Sequence, residues 1–215
     1  MSHAQARRIY DLIGPRQDSR LLSEARALDL LADLGAFEEA HAVFEFGSGT
    51  GRLAARLLRT RLPDDCRYVA VDVSPRMVEL ARTALAAWPE RATVALTDGS
   101  PLLSAADGEF DRFVSTFVLD LLNPGDTETL LAEARRILRP GGLLCLANLT
   151  FGATPSARLL TSLWEKAWKL RPWLMGGCRP VTPAQALSAE SWVVRHSMTV
   201  NAYSLTSGLL VAERQ

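Results

Sequence analysis

The chain has 215 residues, and its 24 basic and 24 acidic side chains give a formal net charge of zero. This balance argues against a non-specific nucleic-acid-binding protein, which needs a basic excess to neutralise phosphates. Hydrophobic residues make up 48% of the chain, enough for one domain with a substantial core. The sequence has no apolar run long enough for a signal peptide or a membrane span, so we expect a soluble cytoplasmic protein.

The elements of the first half are predicted from apolar periodicity and from residues that start and stop helices. A helix ends at Gly35, and a later helix begins with Ser74 as N-cap and Pro75 at its first position. The order is helix, strand, helix, strand, helix, over residues 21–35, 42–46, 52–62, 67–73 and 74–88.

The second half continues with two more strands, which begin at residues 92 and 110, and a helix over residues 126–138. RPGG, residues 139–142, is interpreted as a turn into a fifth strand. This alternation of strands and helices predicts an α/β fold, an open doubly wound parallel sheet with helices on both faces. Residues 191–203 and 205–215 have no long helix between them, which predicts a hairpin at the far edge of the sheet.

The three cysteines, Cys66, Cys145 and Cys178, are far apart in the chain and form no CxxC pair. This pattern suggests neither a zinc site nor a disulfide framework. Cys66 and Cys145 lie in or beside predicted strands, and we interpret them as buried structural thiols because free cysteine is among the most buried residue types. We therefore expect no metal.

The turn after the first predicted strand carries three glycines at alternate positions, Gly47, Gly49 and Gly51. In an open α/β sheet such a turn leads into a helix N-terminus, where glycines let the backbone and its free N–H groups approach a cofactor. Nicotinamide-binding folds use G-x-G-x-x-G, which would need a glycine at Arg52. Asp72 follows Gly51 by 21 residues (72 − 51), at the end of the second strand, where a carboxylate can bind both ribose hydroxyls.

These features, with three further stretches, resemble the class I S-adenosylmethionine-dependent methyltransferases. The resemblance is to the small-molecule type (methyltransferase type 11) related to the enzymes of ubiquinone and menaquinone biosynthesis. It covers residues 43–149 through VFEFGSGTGRLA, VAVDVSPRMVELAR, LTDGSPL, FDRFVSTFVLDLL and EARRILRPGGLLCLANL. It implies S-adenosylmethionine as cofactor and a Rossmann-like doubly wound sheet of seven strands, mostly parallel, with an antiparallel C-terminal strand.

The resemblance also implies one domain over residues 1–215. Its parts are a helical cap (1–40), a cofactor-binding core (41–150), a helical insert or lid (151–183) and a C-terminal β-hairpin (184–215).

Roles in cofactor binding follow from the same resemblance. Asp72 is expected at the ribose, Asp98 at the adenine amino group, and Met77 against the adenine ring. Each role has an ordinary alternative, since Met77 could be a core residue, Asp98 could cap a loop and Tyr10 could be packing. The residues expected to contact the cofactor are Tyr10, Glu45, Gly47, Ser48, Gly49, Gly51, Asp72, Val73, Met77, Asp98, Gly99, Thr116, Phe117 and Val118.

Methyl transfer from a sulfonium is an in-line displacement, so the protein mainly has to align the reacting atoms and exclude water. A general base is needed only if the acceptor arrives with a proton. Asp120, just after the fourth strand, and His196, on a late strand, are the two candidates for this catalytic role. The interpretation that neither acts stays open.

Residues 157–175 place Leu160, Leu163, Trp164 and Trp168 on one helical face. Three interpretations are open: a helix packed on the sheet, a lid over a lipophilic acceptor, or a helix at a membrane surface. We expect a small, lipophilic acceptor, such as a quinone precursor, a phospholipid headgroup or a hydrophobic metabolite, and no nucleic-acid partner. The alternative functions are a non-catalytic S-adenosylmethionine-binding module and, less favoured, a nicotinamide-dependent oxidoreductase.

Overall fold

The structure is a computed structural model that describes residues 3–13, 21–151, 178–202 and 205–215. Its helices are α1 (His3–Ile13), α2 (Leu21–Leu34), α3 (Arg52–Thr60), α4 (Pro75–Ala84) and α5 (Pro124–Ile137). Its strands are β1 (Ala42–Phe46), β2 (Arg67–Asp72), β3 (Ala92–Leu96), β4 (Phe110–Thr116), β5 (Leu138–Leu149), β6 (Trp192–Ala202) and β7 (Leu205–Arg214). The predicted helical insert over residues 157–175 lies outside the described residues. No described helix is long and apolar enough to cross a membrane.

The strands form one seven-stranded sheet in the order β3-β2-β1-β4-β5-β7-β6. Strands β1 to β5 pair in parallel, and β7 is antiparallel to both β5 and β6. The predicted fold class is therefore confirmed, including the antiparallel C-terminal hairpin. The chain passes from β1 to β2 on one side and reaches β4 on the other. This makes the carboxyl ends of β1 and β4 the switch point at which α/β sheets bind ligands.

The core lies on both faces of the sheet, because successive strand residues point to opposite sides. Val43 of β1 belongs to a cluster with α2, α3 and α4, whereas Phe44 and Phe46 belong to a cluster with α5. Phe44 stacks on Phe113 of β4 with ring centroids 5.9 Å apart. By the same alternation Glu45 lies on the Val43 face, so its carboxyl group is carried into the interior, where the residue is 1% exposed.

The start of α4 follows the sequence prediction. Ser74 Oγ accepts a hydrogen bond from the Met77 backbone N–H at 3.1 Å, and Pro75 occupies the first turn, where its missing N–H costs nothing. Cys66 and Cys145 are free and buried, which confirms their interpretation as structural thiols.

The prediction of a turn over residues 139–142 is wrong in one respect. Helix α5 ends at Ile137, and β5 already begins at Leu138. Leu138 pairs with Phe110 and Leu143 with Arg112, so residues 139–142 form a bulge inside the strand. Gly142 is required there because a Cβ atom would lie 2.8 Å from the Arg139 carbonyl oxygen.

Candidate cofactor and acceptor site

Two of the three glycines after β1 permit close packing within the protein. A Cβ atom on Gly47 would overlap the Val118 Cγ2 methyl group in the loop after β4. A Cβ atom on Gly51 would lie 2.8 Å from Ala81 Cα on α4. These glycines therefore bring the loop after β1 against the loop after β4 and against α4.

Gly49 has a different role, because a Cβ atom there would meet no described residue within 4 Å. Its φ of 51° is in the left-handed region, which glycine adopts without a Cβ penalty. Its N–H donates to Asp72 Oδ2 at 2.9 Å. The backbone at Gly49 therefore lies next to open space with a carboxylate beside it.

The Asp72 carboxylate is held by backbone donors at the end of β2. Oδ1 accepts from the Ser74 N–H at 2.9 Å, and the side chain is almost fully buried. Burial raises the pKa of Asp72 to about 6, against the lowering effect of the N–H groups of Ser74, Gly49 and Val73. At neutral pH this carboxylate is mainly ionised and can accept further hydrogen bonds from a ligand such as a ribose.

Tyr68 is a buried hydrogen-bond partner of Glu45 that the sequence reasoning missed. Its hydroxyl group donates to Glu45 Oε2 at 2.9 Å in the interior, beside the loop after β1. Burial raises the pKa of Glu45 to about 8, the Tyr68 hydrogen bond lowers it, and the Asp72 charge raises it. Glu45 pairs with Ala70, so Tyr68 lies two residues away on the same face. A tyrosine with a polar tip in an apolar strand was the signal that could have located it.

The loop after β4 is strained at Phe117. Its φ of 55° is unusual for a residue with a side chain and costs about 1–3 kcal/mol. The Phe117 N–H donates to the Ala147 carbonyl of β5 at 2.7 Å. The loop leaves Thr116, Phe117 and Val118 half-buried and directs the chain towards Asp120.

Asp120 is a buried carboxyl group, 1% exposed, at the carboxyl ends of β4 and β5. Oδ2 accepts from the Leu149 N–H at 3.0 Å, whereas Oδ1 has no hydrogen-bond partner among the described residues. Burial raises the pKa of Asp120 to about 8. Hydrogen bonds from backbone N–H groups and the charge of Arg179 lower this pKa, and Glu24 raises it. The group therefore carries a proton at neutral pH in most molecules and releases it slightly above.

Three buried polar side chains in the described ranges end in unpartnered atoms at this one edge of the sheet. They are Ser48 after β1, Asp120 after β4 and Asn148 near the end of β5. The three strands are neighbours in the sheet. Because buried polar groups are nearly always hydrogen-bonded, the unpartnered atoms in this row are available for hydrogen bonds with a ligand or with water. The sequence reasoning missed Asn148, although a polar residue inside the apolar run LLCLANL was a usable signal.

Tyr10 of α1 faces the same edge. Its pKa is raised well above the usual value by burial first, and then by Cys178, Asp120, Asp72 and Glu24. Helix α1 is tied to the end of β2, because Ser74 Oγ donates to Asp11 Oδ1 at 2.6 Å. The structure therefore brings Tyr10 together with Asp72 and Asp120.

The residues predicted to contact the adenine differ in how far they are exposed to solvent. Val73 is half-buried, and Gly99 lies beside Asp98. Asp98 is exposed, and its Oδ1 accepts from the Ser100 N–H at 2.8 Å, so it does cap its loop. Met77 has no exposed surface, which fits the core alternative.

His196 is not brought to this site. It is exposed on the edge strand β6, which β7, β5 and β4 separate from β1. It lines a separate pocket of about 350 Å³ together with Arg112, Arg139 and Arg195. Four strand spacings of about 4.8 Å put β6 roughly 19 Å from β1, too far for proton transfer at the glycine loop.

The sheet order, the glycine loop at the switch point and the carboxylate at the end of β2 are features of a Rossmann-like fold, in which nucleoside cofactors bind at the switch point. Residues 43–142 match a family model described as a methyltransferase domain. This part of the chain, just under half of its length, is therefore similar to methyltransferase domains of the class that uses S-adenosylmethionine as cofactor.

Several known proteins are similar to the chain. The carboxy-S-adenosyl-L-methionine synthase of Photorhabdus laumondii is 30% identical over 106 residues, covering 49% of this chain and 42% of that protein. The tuberculostearic acid methyltransferase UfaA1 of Mycobacterium tuberculosis is 25% identical over 162 residues, covering 75% of this chain and 36% of that protein. The matches thus span less than half of the length of these two relatives.

A solved structure shows the same fold. The N-methyltransferase NodS from Bradyrhizobium japonicum aligns with a TM-score of 0.66 at 18% identity and covers 89% of this chain and 96% of that chain. At this identity the similarity supports the fold only.

Proposed function

We propose that the protein is an S-adenosylmethionine-dependent methyltransferase that acts on a small molecule. The observation that carries the proposal is the open space over Gly49 beside the buried Asp72 carboxylate, at the switch point of the sheet. Asp72 binds the ribose hydroxyls. The other residues that would hold the cofactor are Tyr10, Glu45, Gly47, Ser48, Gly51, Val73, Asp98, Gly99, Thr116, Phe117 and Val118.

When bound, the cofactor supplies an electrophilic methyl group on a positively charged sulfur. The chain's own residues align the acceptor and exclude water, which can lower a barrier by roughly 7–11 kcal/mol when the geometry is good. The half-buried side chains of Phe117 and Val118 provide apolar contacts beside Asp120. At neutral pH Asp120 is ionised in a minority of molecules, and this fraction grows as the pH rises towards 8. In the ionised form its Oδ1, which has no partner within the described part of the chain, takes the proton of a protic acceptor.

This arrangement favours an acceptor with an apolar body and one protic group. The apolar body is supported by Phe117 and Val118 and by the name of one relative, the tuberculostearic acid methyltransferase UfaA1. The protic group is supported by the buried carboxyl of Asp120, whose pKa of about 8 suits proton transfer near neutral pH.

Cofactor binding is tested by thermal unfolding and calorimetry with S-adenosylhomocysteine, and separately with NAD. A ligand that binds only the folded state raises the melting temperature. We expect a rise with S-adenosylhomocysteine alone. Asp72→Asn should weaken its binding at least tenfold, about 1.4 kcal/mol, while unfolding stays cooperative. Asp107→Asn, at an exposed carboxylate, is the matched control and should bind normally.

Two results would contradict the proposal. A rise with NAD alone would favour the oxidoreductase, and wild-type affinity in Asp72→Asn would remove the ribose assignment. Turnover separates an enzyme from a non-catalytic binding module. An enzyme releases S-adenosylhomocysteine from S-adenosylmethionine in the presence of at least one lipophilic acid, phenol or amine, whereas a module binds the cofactor and releases none.

A further inference from the structure

Asn148, near the end of β5, is a fully buried amide, 0% exposed. Neither its Oδ1 nor its Nδ2 has a hydrogen-bond partner in the described part of the protein. A carboxamide can donate two hydrogen bonds and accept two, so its whole capacity is unused. Such groups are rare in protein interiors and need a physical explanation.

No residue among those that the structure describes supplies a partner, although polar side chains lie on the neighbouring strands. Ser115 Oγ of β4 donates to the Phe46 carbonyl, and Thr206 Oγ1 of β7 donates to Asn201 Oδ1. By strand alternation Asn148 shares its face with Leu144 and Leu146, which belong to the apolar cluster under α5. An apolar side chain of similar volume would therefore complete this face without an unpaired group.

The position of Asn148 links it to the acceptor side. The next residue, Leu149, donates its N–H to Asp120, so Asn148 and Asp120 lie at the adjoining ends of β5 and β4. Both residues are almost fully buried, and both present unpartnered atoms within the described ranges. Asn148 therefore offers a second unpartnered polar group one strand away from Asp120.

We infer that Asn148 is a specificity-determining residue of the acceptor site, and that its amide binds a carboxamide-like group, which both donates and accepts hydrogen bonds. The inference rests on the proposed function. It adds a second polar group to the acceptor, besides the protic group beside Asp120. Asn148 orients the acceptor, and ionised Asp120 accepts the proton of its protic group. A purely apolar acceptor leaves the amide unpaired and binds less well.

The test compares benzamide with toluene, which have similar apolar bodies but differ in the polar group. Binding to the protein saturated with S-adenosylhomocysteine is measured by ligand-observed NMR titration in the wild type and in Asn148→Leu. We expect the variant to bind benzamide at least tenfold more weakly and toluene within twofold of the wild type. Because the amide has no hydrogen-bond partner among the described residues, the melting temperature of Asn148→Leu should not fall. Asn148→Ala serves as a second variant if leucine does not fit.

The outcomes are distinguishable from those that test the proposed function. If S-adenosylhomocysteine binds, the inference is overturned by equal benzamide binding in wild type and variant, or by no benzamide binding to the wild type. A lower melting temperature with unchanged benzamide affinity shows a structural role and overturns it too. If the wild type does not bind S-adenosylhomocysteine, the proposed function fails, and the inference fails with it.

Discussion

Replacing Asp120 by asparagine tests the electrostatics of the site, because asparagine has the shape of the carboxyl group and cannot ionise. Its amide oxygen can keep the hydrogen bond from the Leu149 N–H. In the unfolded chain the Asp120 carboxyl releases its proton near pH 4, whereas the folded protein holds it until about pH 8. Between these values the unfolded state binds fewer protons. The stability of the wild type therefore falls as pH rises, and the variant lacks this loss.

The size of the effect follows from the pKa. Each pH unit in this interval changes the free energy of unfolding by about 1.36 kcal/mol, so the three units from pH 5 to pH 8 give at most about 4 kcal/mol. Water entry and relaxation around a buried charge reduce this, and we expect Asp120→Asn to gain roughly 2–4 kcal/mol over the wild type across the interval. Above pH 8 the folded carboxyl also ionises, and the difference levels off.

Urea unfolding of both proteins at half-unit steps from pH 5 to pH 9 measures this difference. Asp107→Asn, at an exposed carboxylate paired with Arg136, is the control and should track the wild type throughout. Contributions of other groups, such as Glu45, are common to all three proteins and cancel. A difference between Asp120→Asn and the wild type that stays constant with pH would refute the reasoning, because the carboxyl would then have an ordinary pKa.

Three further substitutions test the glycine loop and the buried acid beside it. Gly47→Ala should lower the free energy of unfolding by about 2–4 kcal/mol, because its Cβ overlaps Val118 at a positive φ. Gly49→Ala should cost only about 1 kcal/mol but weaken S-adenosylhomocysteine binding at least tenfold, since its Cβ points into open space. Urea unfolding and calorimetry measure both effects, and equal stability losses would contradict this division of roles. Tyr68→Phe removes a hydrogen-bond donor to Glu45, so the pKa of Glu45 should rise further. The free energy of unfolding should fall by about 1–3 kcal/mol, as measured by urea unfolding. An unchanged free energy of unfolding would show that this hydrogen bond contributes nothing to stability.

Local sequence patterns were sufficient to predict an element where residues close in the chain determine the backbone conformation. The strand AVFEF was predicted at the same residues that form β1, and the predicted N-cap Ser74 makes its capping hydrogen bond. They were insufficient at RPGG. Its helix-stopping residues were recognised, but the bulge over residues 139–142 depends on how β5 pairs with β4, and pairing is not encoded in a short window.

The sequence by itself determined the α/β class, the glycine loop and the position of Asp72. Each of these depends on periodicity or on spacing within one strand–helix–strand unit. Only the tertiary structure decided which polar groups meet in the interior. Tyr68 reaches Glu45 across 23 positions and Asp120 reaches Leu149 across 29, and both contacts arise at neighbouring strands whose relative register no local pattern specifies. Asn148 and His196 show the same limit, because strand order leaves one beside Asp120 and the other on the far edge of the sheet.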